Sequence, residues 1–387
     1  IMYFGCDGGI WRYDYNPGTQ SGTFASLNSQ LGDFQFYEMS VFGGNDLNLN
    51  GGCQDNASPS VRGSFVNWKG LYAGDGGWSG FDPTNNGVNF VSSQNCSVFR
   101  YTSLSDPEPD YISPDTQGFQ PAFIAPIIYA GTNGQQLFCA DRFLHRWSGT
   151  GRTWTKFNTQ LSNDPLLELV AAPSNKNVIY TGGRDGVVGR TANAGTSFTG
   201  INPAGVNRPI GAIDVAWTNP NDVIIGYQGP SDGTARLLRT TNASVGAPTW
   251  INISGTGGSS LPDIPINAVA RDPYDIKRFY VGTDIGLFMT TNSGSTWTNM
   301  SNLGFPNVHV NSIKFNGPKT YMYVATFGRG MYRISIGSSA SFSISGTARA
   351  NSLPLAGASM RLTKLQNTFT KVANNSTFPI PDFDENG

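Results

Sequence analysis

Charge is scarce in this 387-residue chain. Asp, Glu, Lys and Arg make up 13% of it, and 25 basic residues nearly cancel 26 acidic ones. That balance gives no electrostatic case for a nucleic-acid partner or an anionic membrane surface. No apolar run approaches the ~20 residues that a membrane-spanning helix needs. Histidine is almost absent, at His145 and His309 only, and the four cysteines form no C-x-x-C. The common zinc ligand sets are therefore excluded, and neither a metal nor a cofactor is expected. Glutamate is also rare (Glu38, Glu108, Glu168 and Glu385), and no G-x-S-x-G marks a nucleophile elbow.

What the chain has in quantity is glycine (48), proline (23) and aromatics (12%). This is the profile of a turn-rich all-β protein and not of a helical bundle. A box recurs along it. Thr290-Thr291-Asn292-Ser293-Gly294-Ser295-Thr296-Trp297 is matched by Thr191–Phe198, by Trp147–Trp154 and, with a two-residue insertion, by Thr240–Trp250. Anchors at 149, 193, 242 and 292 lie 44, 49 and 50 residues apart, a period that suits four short strands per unit, as in a propeller blade. An apolar strand, a turn and a second strand precede each box. Ile266–Pro273, Phe279–Asp284 and Gly286–Thr290 form one such frame, and Leu166–Pro173, Val178–Gly183 and Gly186–Thr191 another. Gly, Pro and Asn punctuate these Val-, Ile-, Phe- and Tyr-rich runs.

Innermost strands are expected near residues 36, 77, 122, 167, 211, 266 and 309. That gives a propeller of about seven to eight blades over residues 1–336, its first blade incomplete because the chain starts in a second strand. Within the box, Asn193, Asn242 and Asn292 can bond the turn backbone. Gly195 and Gly294 permit positive φ, and Trp297 offers area to pack between blades. The motif reads as structural, since too few carboxylates remain in it for calcium.

The box resembles the Asp-box, or bacterial neuraminidase repeat, S/T-x-D/N-x-G-x-T-W. Its surroundings resemble the propellers of sortilin-like secreted bacterial proteins. Gly5-Cys6-Asp7-Gly8-Gly9-Ile10, Gly51-Gly52-Cys53-Gln54-Asp55-Asn56, Gly74-Asp75-Gly76-Gly77 and Thr326-Phe327-Gly328-Arg329-Gly330-Met331-Tyr332 carry that resemblance. It implies an extracellular or cell-surface propeller and says little about chemistry, because the box occurs in enzymes, receptors and assembly factors alike. A short linker is expected at 337–341. Residues 342–387 resemble the start of a carboxypeptidase-regulatory-like, Ig-like β-sandwich, so the chain is expected to be a segment of a longer polypeptide.

Cys6, Cys53, Cys96 and Cys139 are spaced 47, 43 and 43 residues apart, near the repeat period. Disulfides between neighbouring repeats are one reading, which would require an oxidising compartment. Three pairings are open, and Cys6–Cys53 with Cys96–Cys139 is preferred. Four buried free thiols are the other reading.

Glycoside hydrolysis needs two carboxylates flanking a cleft. The stretch Cys6–Asp14 is similar to the base-bearing segment of xyloglucan-cleaving endoglucanases, which makes Asp7 a candidate catalytic base. Thr283–Gly286 fits that segment about as well, and Asp55, Asp141 and Asp185 hold related positions. A residue repeated in most blades is better read as orienting a turn near the channel mouth. Binding is the other class of function. Asp55, Asp75, Trp68 and Trp78 are candidate ligand contacts, the tryptophans either as a sugar-stacking platform with Tyr72 or as interblade packing. The sequence therefore points to a non-catalytic binding or structural module, secreted or at the cell surface. Its expected partners are an extracellular protein, a glycan or other parts of its own polypeptide. A polysaccharide-active glycoside hydrolase is the alternative, and it requires a close pair of carboxylates unique to one blade.

Overall fold

The computed structural model describes residues 1–28, 33–45, 47–65, 68–72, 74–114, 118, 120–131, 136–229, 233, 235–336, 349–350, 353–354 and 370–373. It is an all-β propeller. Blade one comprises β4 (Phe36–Val41), β5 (Leu49–Cys53), β6 (Pro59–Val61) and β7 (Lys69–Gly70), and follows an N-terminal sheet of β1 (Met2–Cys6), β2 (Gly9–Asn16) and β3 (Ser21–Ser26). Blade two is β8 (Ser79–Asp82), β9 (Asn85–Ser93), β10 (Ser97–Tyr101) and β11 (Asp110–Tyr111). Blade three is β12 (Ile127–Ala130), β13 (Gln136–Ala140), β14 (Leu144–Trp147) and β15 (Trp154–Lys156). Blade four is β16 (Leu166–Ala172), β17 (Asn175–Gly183), β18 (Val188–Thr191) and β19 (Thr199–Gly200). Blade five is β20 (Ile210–Val215), β21 (Val223–Tyr227), β22 (Leu237–Thr240) and β23 (Ile251–Asn252). Blade six is β24 (Ile266–Arg271), β25 (Phe279–Thr283), β26 (Gly286–Thr290) and β27 (Thr298–Asn299). Blade seven is β28 (Val310–Phe315), β29 (Tyr321–Thr326) and β30 (Met331–Ser335), with β33 (Thr370–Ala373) as its outer strand; β31 (Arg349–Ala350) and β32 (Leu353–Pro354) pair with each other.

The innermost strands touch in sequence order, and β28 packs on β4. Seven blades therefore close the ring, which removes the sheet edges that an open array would expose. Closure is hydrogen-bonded: Gly328 N donates to Phe34 O at 3.0 Å, and Asn311 Nδ2 donates to Phe36 O at 2.9 Å. The incomplete N-terminal sheet stands outside this ring. Its register repeats strands two and three of a blade, since Cys6 faces Gly9 as Thr283 faces Gly286. Among the described residues no first strand covers β1, and Ile1 and Tyr3 are 79% and 66% exposed. The sandwich expected at 342–387 falls almost wholly outside the described residues; within them, 370–373 pairs with β30.

Apolar layers between blades hold the ring together, for example Ala212, Ile224 and Leu237 of blade five against Ile266, Val281 and Phe288 of blade six. A small residue is needed where blades approach most closely. A Cβ at Gly282 would lie 2.5 Å from Val310 Cγ1 of the next blade, so any side chain there would push blades six and seven apart.

The recurrent box forms the turn between strands three and four. Asn292 Oδ1 accepts from Thr290 Oγ1 at 2.8 Å and Thr296 N at 2.9 Å, while Gly294 N donates to Thr290 Oγ1 at 3.0 Å. Asn193 and Asn242 accept in the same way from Thr191 and Thr240. Gly294 has φ +90°, and a Cβ there would sit 2.5 Å from Ile253 O. The box tryptophans latch blades three, five and six to the blade before each. Trp297 Nε1 donates to Ile253 O at 2.9 Å, Trp250 to Ile201 O at 3.0 Å and Trp154 to Ile112 O at 2.6 Å.

Candidate functional site at the channel mouth

Each innermost strand begins opposite the end of the second strand, as in the pairs Phe36–Cys53, Ile266–Thr283 and Val310–Thr326. The turns between strands two and three thus share one face of the ring with the loops entering strand one. Five innermost strands start with the same irregularity, at Tyr37, Leu167, Gly211, Asn267 and Asn311. Such a bulge re-aims a side chain. Here it turns Tyr37 and Asn267 toward the channel mouth.

Three rings form a strip there. Tyr37 and Phe327 have centroids 5.7 Å apart, and Phe327 and His309 also lie 5.7 Å apart. At one end, His309 Nδ1 lies 3.6 Å from Asp284 Oδ1, and Asn267 Nδ2 bridges Asp284 Oδ1 (2.8 Å) and His309 Nε2 (3.0 Å). At the other end Tyr37 meets Asp55 and Asp75. Burial raises its hydroxyl pKa to about 12, with the charges of Asp75 and then Asp55 adding to the shift.

Asp55 and Asp75 are knitted together. Asp55 N donates to Asp75 Oδ1 at 2.7 Å, and Gln94 Nε2 donates to Asp75 Oδ2 at 2.7 Å. Desolvation first, then Asp75, then Asp7 push the Asp55 carboxyl above its ordinary value, as expected when like charges share a site. Asp55 and Ala57 both adopt left-handed φ, +56° and +61°. That is an unfavourable backbone for non-glycine residues and is common at functional sites.

The same turn position behaves differently in other blades. Asp141 Oδ1 accepts from Phe143 N at 2.7 Å and meets His145 Nε2 at 3.0 Å. Burial raises its pKa, but these bonds more than offset that and leave it lowered. Asp185 takes Ser162 Oγ at 2.7 Å and Asn163 N at 2.9 Å. These two residues fasten their own turns, whereas Asp55 is set against a second acid.

The remaining expected site residues separate. Asp7 is exposed on the outer sheet, where its carbonyl accepts from Asn56 Nδ2 at 3.0 Å. The sugar-stacking platform does not form. Trp68 is only 4% exposed and donates to Phe65 O, Tyr72 stacks on Phe99, and Trp78 lies beneath Lys314, 5.6 Å from its Nζ. All four cysteines are free thiols. Cys6 is exposed on the outer sheet and Cys53 is buried among Phe34, Phe36 and Met39, so the Cys6–Cys53 pairing is not formed. The Tyr37–Phe327–His309 strip escaped the sequence reading because its residues come from blades one and seven. Ring closure alone brings them together.

Below the mouth the channel carries charge. Lys314 Nζ is 2.9 Å from Glu38 Oε1, which also accepts from Ser312 Oγ. Among the described residues the Glu168 carboxyl has no hydrogen bond; burial pushes it well up, Glu38 adds to this, and Lys314 only partly offsets it. Deeper, Arg271 Nε lies 2.8 Å from Asp214 Oδ2, and its Nη1 lies 2.8 Å from Asp222 Oδ1. Asp222 also holds Arg239. Among the described residues no group of three or more His, Cys, Asp or Glu is placed to hold a metal ion, and no helix is long and apolar enough to cross a membrane.

Fold and mouth together define a seven-bladed β-propeller with a polar-aromatic face. No protein-family model matches the sequence, and no curated protein matches it. Solved structures do match in fold. A glycoside hydrolase family 74 enzyme from Niastella koreensis aligns at a TM-score of 0.60 and 16% identity, over 79% of this chain and 53% of that one. YCF48 from Cyanidioschyzon merolae aligns at a TM-score of 0.60 and 11% identity, over 83% and 97%. The GH74 xyloglucanase of Xanthomonas campestris aligns at a TM-score of 0.58 and 14% identity, over 84% and 54%. The chain spans about half the length of the GH74 enzymes it matches. At these identities the likeness concerns the fold alone.

Proposed function

We propose that the chain is a non-catalytic binding module of a secreted or cell-surface protein, and that it takes its ligand across the channel mouth. The ligand class that fits is a hydroxyl-rich glycan. Tyr37 and Phe327 offer ring faces, and Asp284, Asn267, Asp75 and Gln94 offer acceptors and donors at both ends of the strip. The observation that carries this reading is the contact between Asp55 and Asp75. Glycoside hydrolases hold their two carboxyl groups about 5–10 Å apart to admit a sugar bond or a water, whereas Asp55 is tied straight to Asp75, its backbone N–H donating to Asp75 Oδ1 at 2.7 Å and its carboxyl pushed up by that neighbour. Such a pair suits the gripping of hydroxyls better than acid–base work on a glycosidic bond.

The test is calorimetry against a panel of soluble polysaccharides, run beside an assay for new reducing ends. Binding without reducing ends is expected, and Tyr37→Ala should weaken it about tenfold, a loss of about 1.4 kcal/mol. Release of reducing ends that Asp75→Asn abolishes would replace this reading with the glycoside hydrolase suggested by the GH74 likeness. Binding unaffected by Tyr37→Ala would move the site elsewhere.

A further inference from the structure

Cys96 and Cys139 lie 43 residues apart in sequence but belong to one buried cluster, with Val98 and Ile112 of blade two and Ile127 and Leu137 of blade three. They are 1% and 0% exposed, and the Cys96 thiol is close enough to add to the upward pKa shift of the Cys139 thiol. Cys139 sits on β13 opposite Ile127. Cys96 ends the short turn that joins β9 to β10.

The backbone at Cys96 supplies a second, independent observation. Cys96 has φ +61° and follows Asn95 at φ +55°. The corresponding turns of the outer sheet and of blades four and six place glycine in the left-handed region: Gly9, Gly186 and Gly286 have φ of +107°, +85° and +136°. As at Ala57 in blade one (φ +61°), a residue with a side chain therefore occupies a conformation that favours glycine. Asn95 N donates to Phe123 O at 2.9 Å and fastens this turn to the segment leading into blade three. The result holds the Cys96 side chain inward against its counterpart.

We propose that Cys96 and Cys139 are joined by a disulfide that staples blade two to blade three when the chain folds in an oxidising compartment. The oxidant is a small-molecule disulfide of the glutathione class. A Cys thiolate attacks it, releasing one small thiol and leaving a mixed disulfide on the protein. The second Cys thiolate then displaces the other small thiol and closes the Cys96–Cys139 bond. In total, two protein thiols and one small disulfide become one protein disulfide and two small thiols. Thiolate is the attacking species, and burial pushes the Cys139 thiol well up. Exchange therefore belongs to the folding chain, and in the finished ring the bond is shielded from reductant. Cys53 is buried in blade one, in a different cluster, and Cys6 lies on the outer sheet, so neither competes.

The test is to refold the whole chain with oxidised and reduced glutathione, then alkylate in denaturant without reductant and digest with trypsin. Peptides 70–100 and 101–142 should run joined, 2 Da below their summed mass, and separate on reduction, while Cys6 and Cys53 carry the alkyl label. Reductant should open the bond in denaturant but not in buffer, and the bond should raise Tm by roughly 5–10 °C. Alkylation of all four cysteines after oxidative refolding, or a crosslink from Cys96 to Cys6 or Cys53, would overturn the proposal. A Cys139→Ala chain, refolded identically, should show no link between the two peptides. If a link to another cysteine appears in its place, the specificity claimed for this pair is lost. None of these results bears on the glycan assay, so the two proposals fail separately.

Discussion

Trp297 offers the sharpest test of how the blades are locked. Its side chain is 6% exposed, and its indole N–H reaches across to the Ile253 carbonyl of the preceding blade at 2.9 Å. In Trp297→Phe the six-membered ring keeps most of the packing, but the donor is lost and a small void opens. Leaving a buried carbonyl without its donor costs about 1–3 kcal/mol. The void adds about 1 kcal/mol, because large-to-small changes in cores leave cavities that relax only in part. A total near 3 kcal/mol corresponds to a fall of about 5 °C in Tm for a ring of this size. Trp147→Phe is the control. Its indole bonds Gly151 O within its own exposed turn, so its cost should stay below about 1 kcal/mol. Calorimetric scans of both variants beside the parent decide the matter. Equal Tm values for the two variants would refute the idea that the box tryptophan works as an interblade latch.

Three further outcomes follow from the geometry. Removal of residues 1–28 should shift Tm by less than about 2 °C, because the ring closes between β28 and β4 without them. Glu168→Gln should stabilise the protein, and more so as pH rises. A carboxyl whose folded pKa is raised stabilises fully below its unfolded value, near 4.3, and loses that contribution as pH climbs toward the folded value, so Tm of the two proteins should converge near pH 4 and separate by pH 8. Arg271→Met should cost about 3–5 kcal/mol at pH 8 by stranding Asp214 and part of Asp222. Burial raises the Asp214 pKa to about 6 even beside Arg271, so protonation should shrink that cost below about pH 5, as denaturant titrations at both pH values would show.

The blade frame was legible in the sequence because each blade solves the same packing problem with the same residue types. Innermost strands expected near 36, 167, 211, 266 and 309 begin at 36, 166, 210, 266 and 310. The third was expected near 122 and begins at 127, since the excursion through 106–120 has no counterpart in the repeat. Blade number was less legible. Residues 1–26 repeat the strand register of a blade, and only the packing of β28 on β4 reveals that seven blades already close. Asp55 and Asp75 were both read as ligand contacts, yet their mutual bond depends on a loop that carries Asp75 back over the preceding turn. Trp68 and Trp78 stayed open between a platform and interblade packing because closeness in sequence says nothing about which side of a blade a tryptophan faces.

The two ends of the blades divide the work. On the box side, Asn193, Asn242 and Asn292 make nearly the same bonds to a threonine and to the turn backbone, and uniformity there is what stacking demands. On the mouth side, one turn position holds Asp55, Asp141, Asp185 and Asp284, and each has a different partner: a second acid, a histidine, a serine with a backbone amide, and an asparagine. Packing alone would favour one solution repeated around the ring, as it does on the box side. Variation at a fixed backbone position is what a recognition surface requires, because a ligand crossing the axis meets each blade only once. The departure from repetition is largest at Asp55 and Asp75, and there the non-glycine backbone also turns left-handed. A ligand-induced change should therefore appear first as altered amide exchange at residues 53–57 and 74–77, while the box turns on the opposite face stay unchanged.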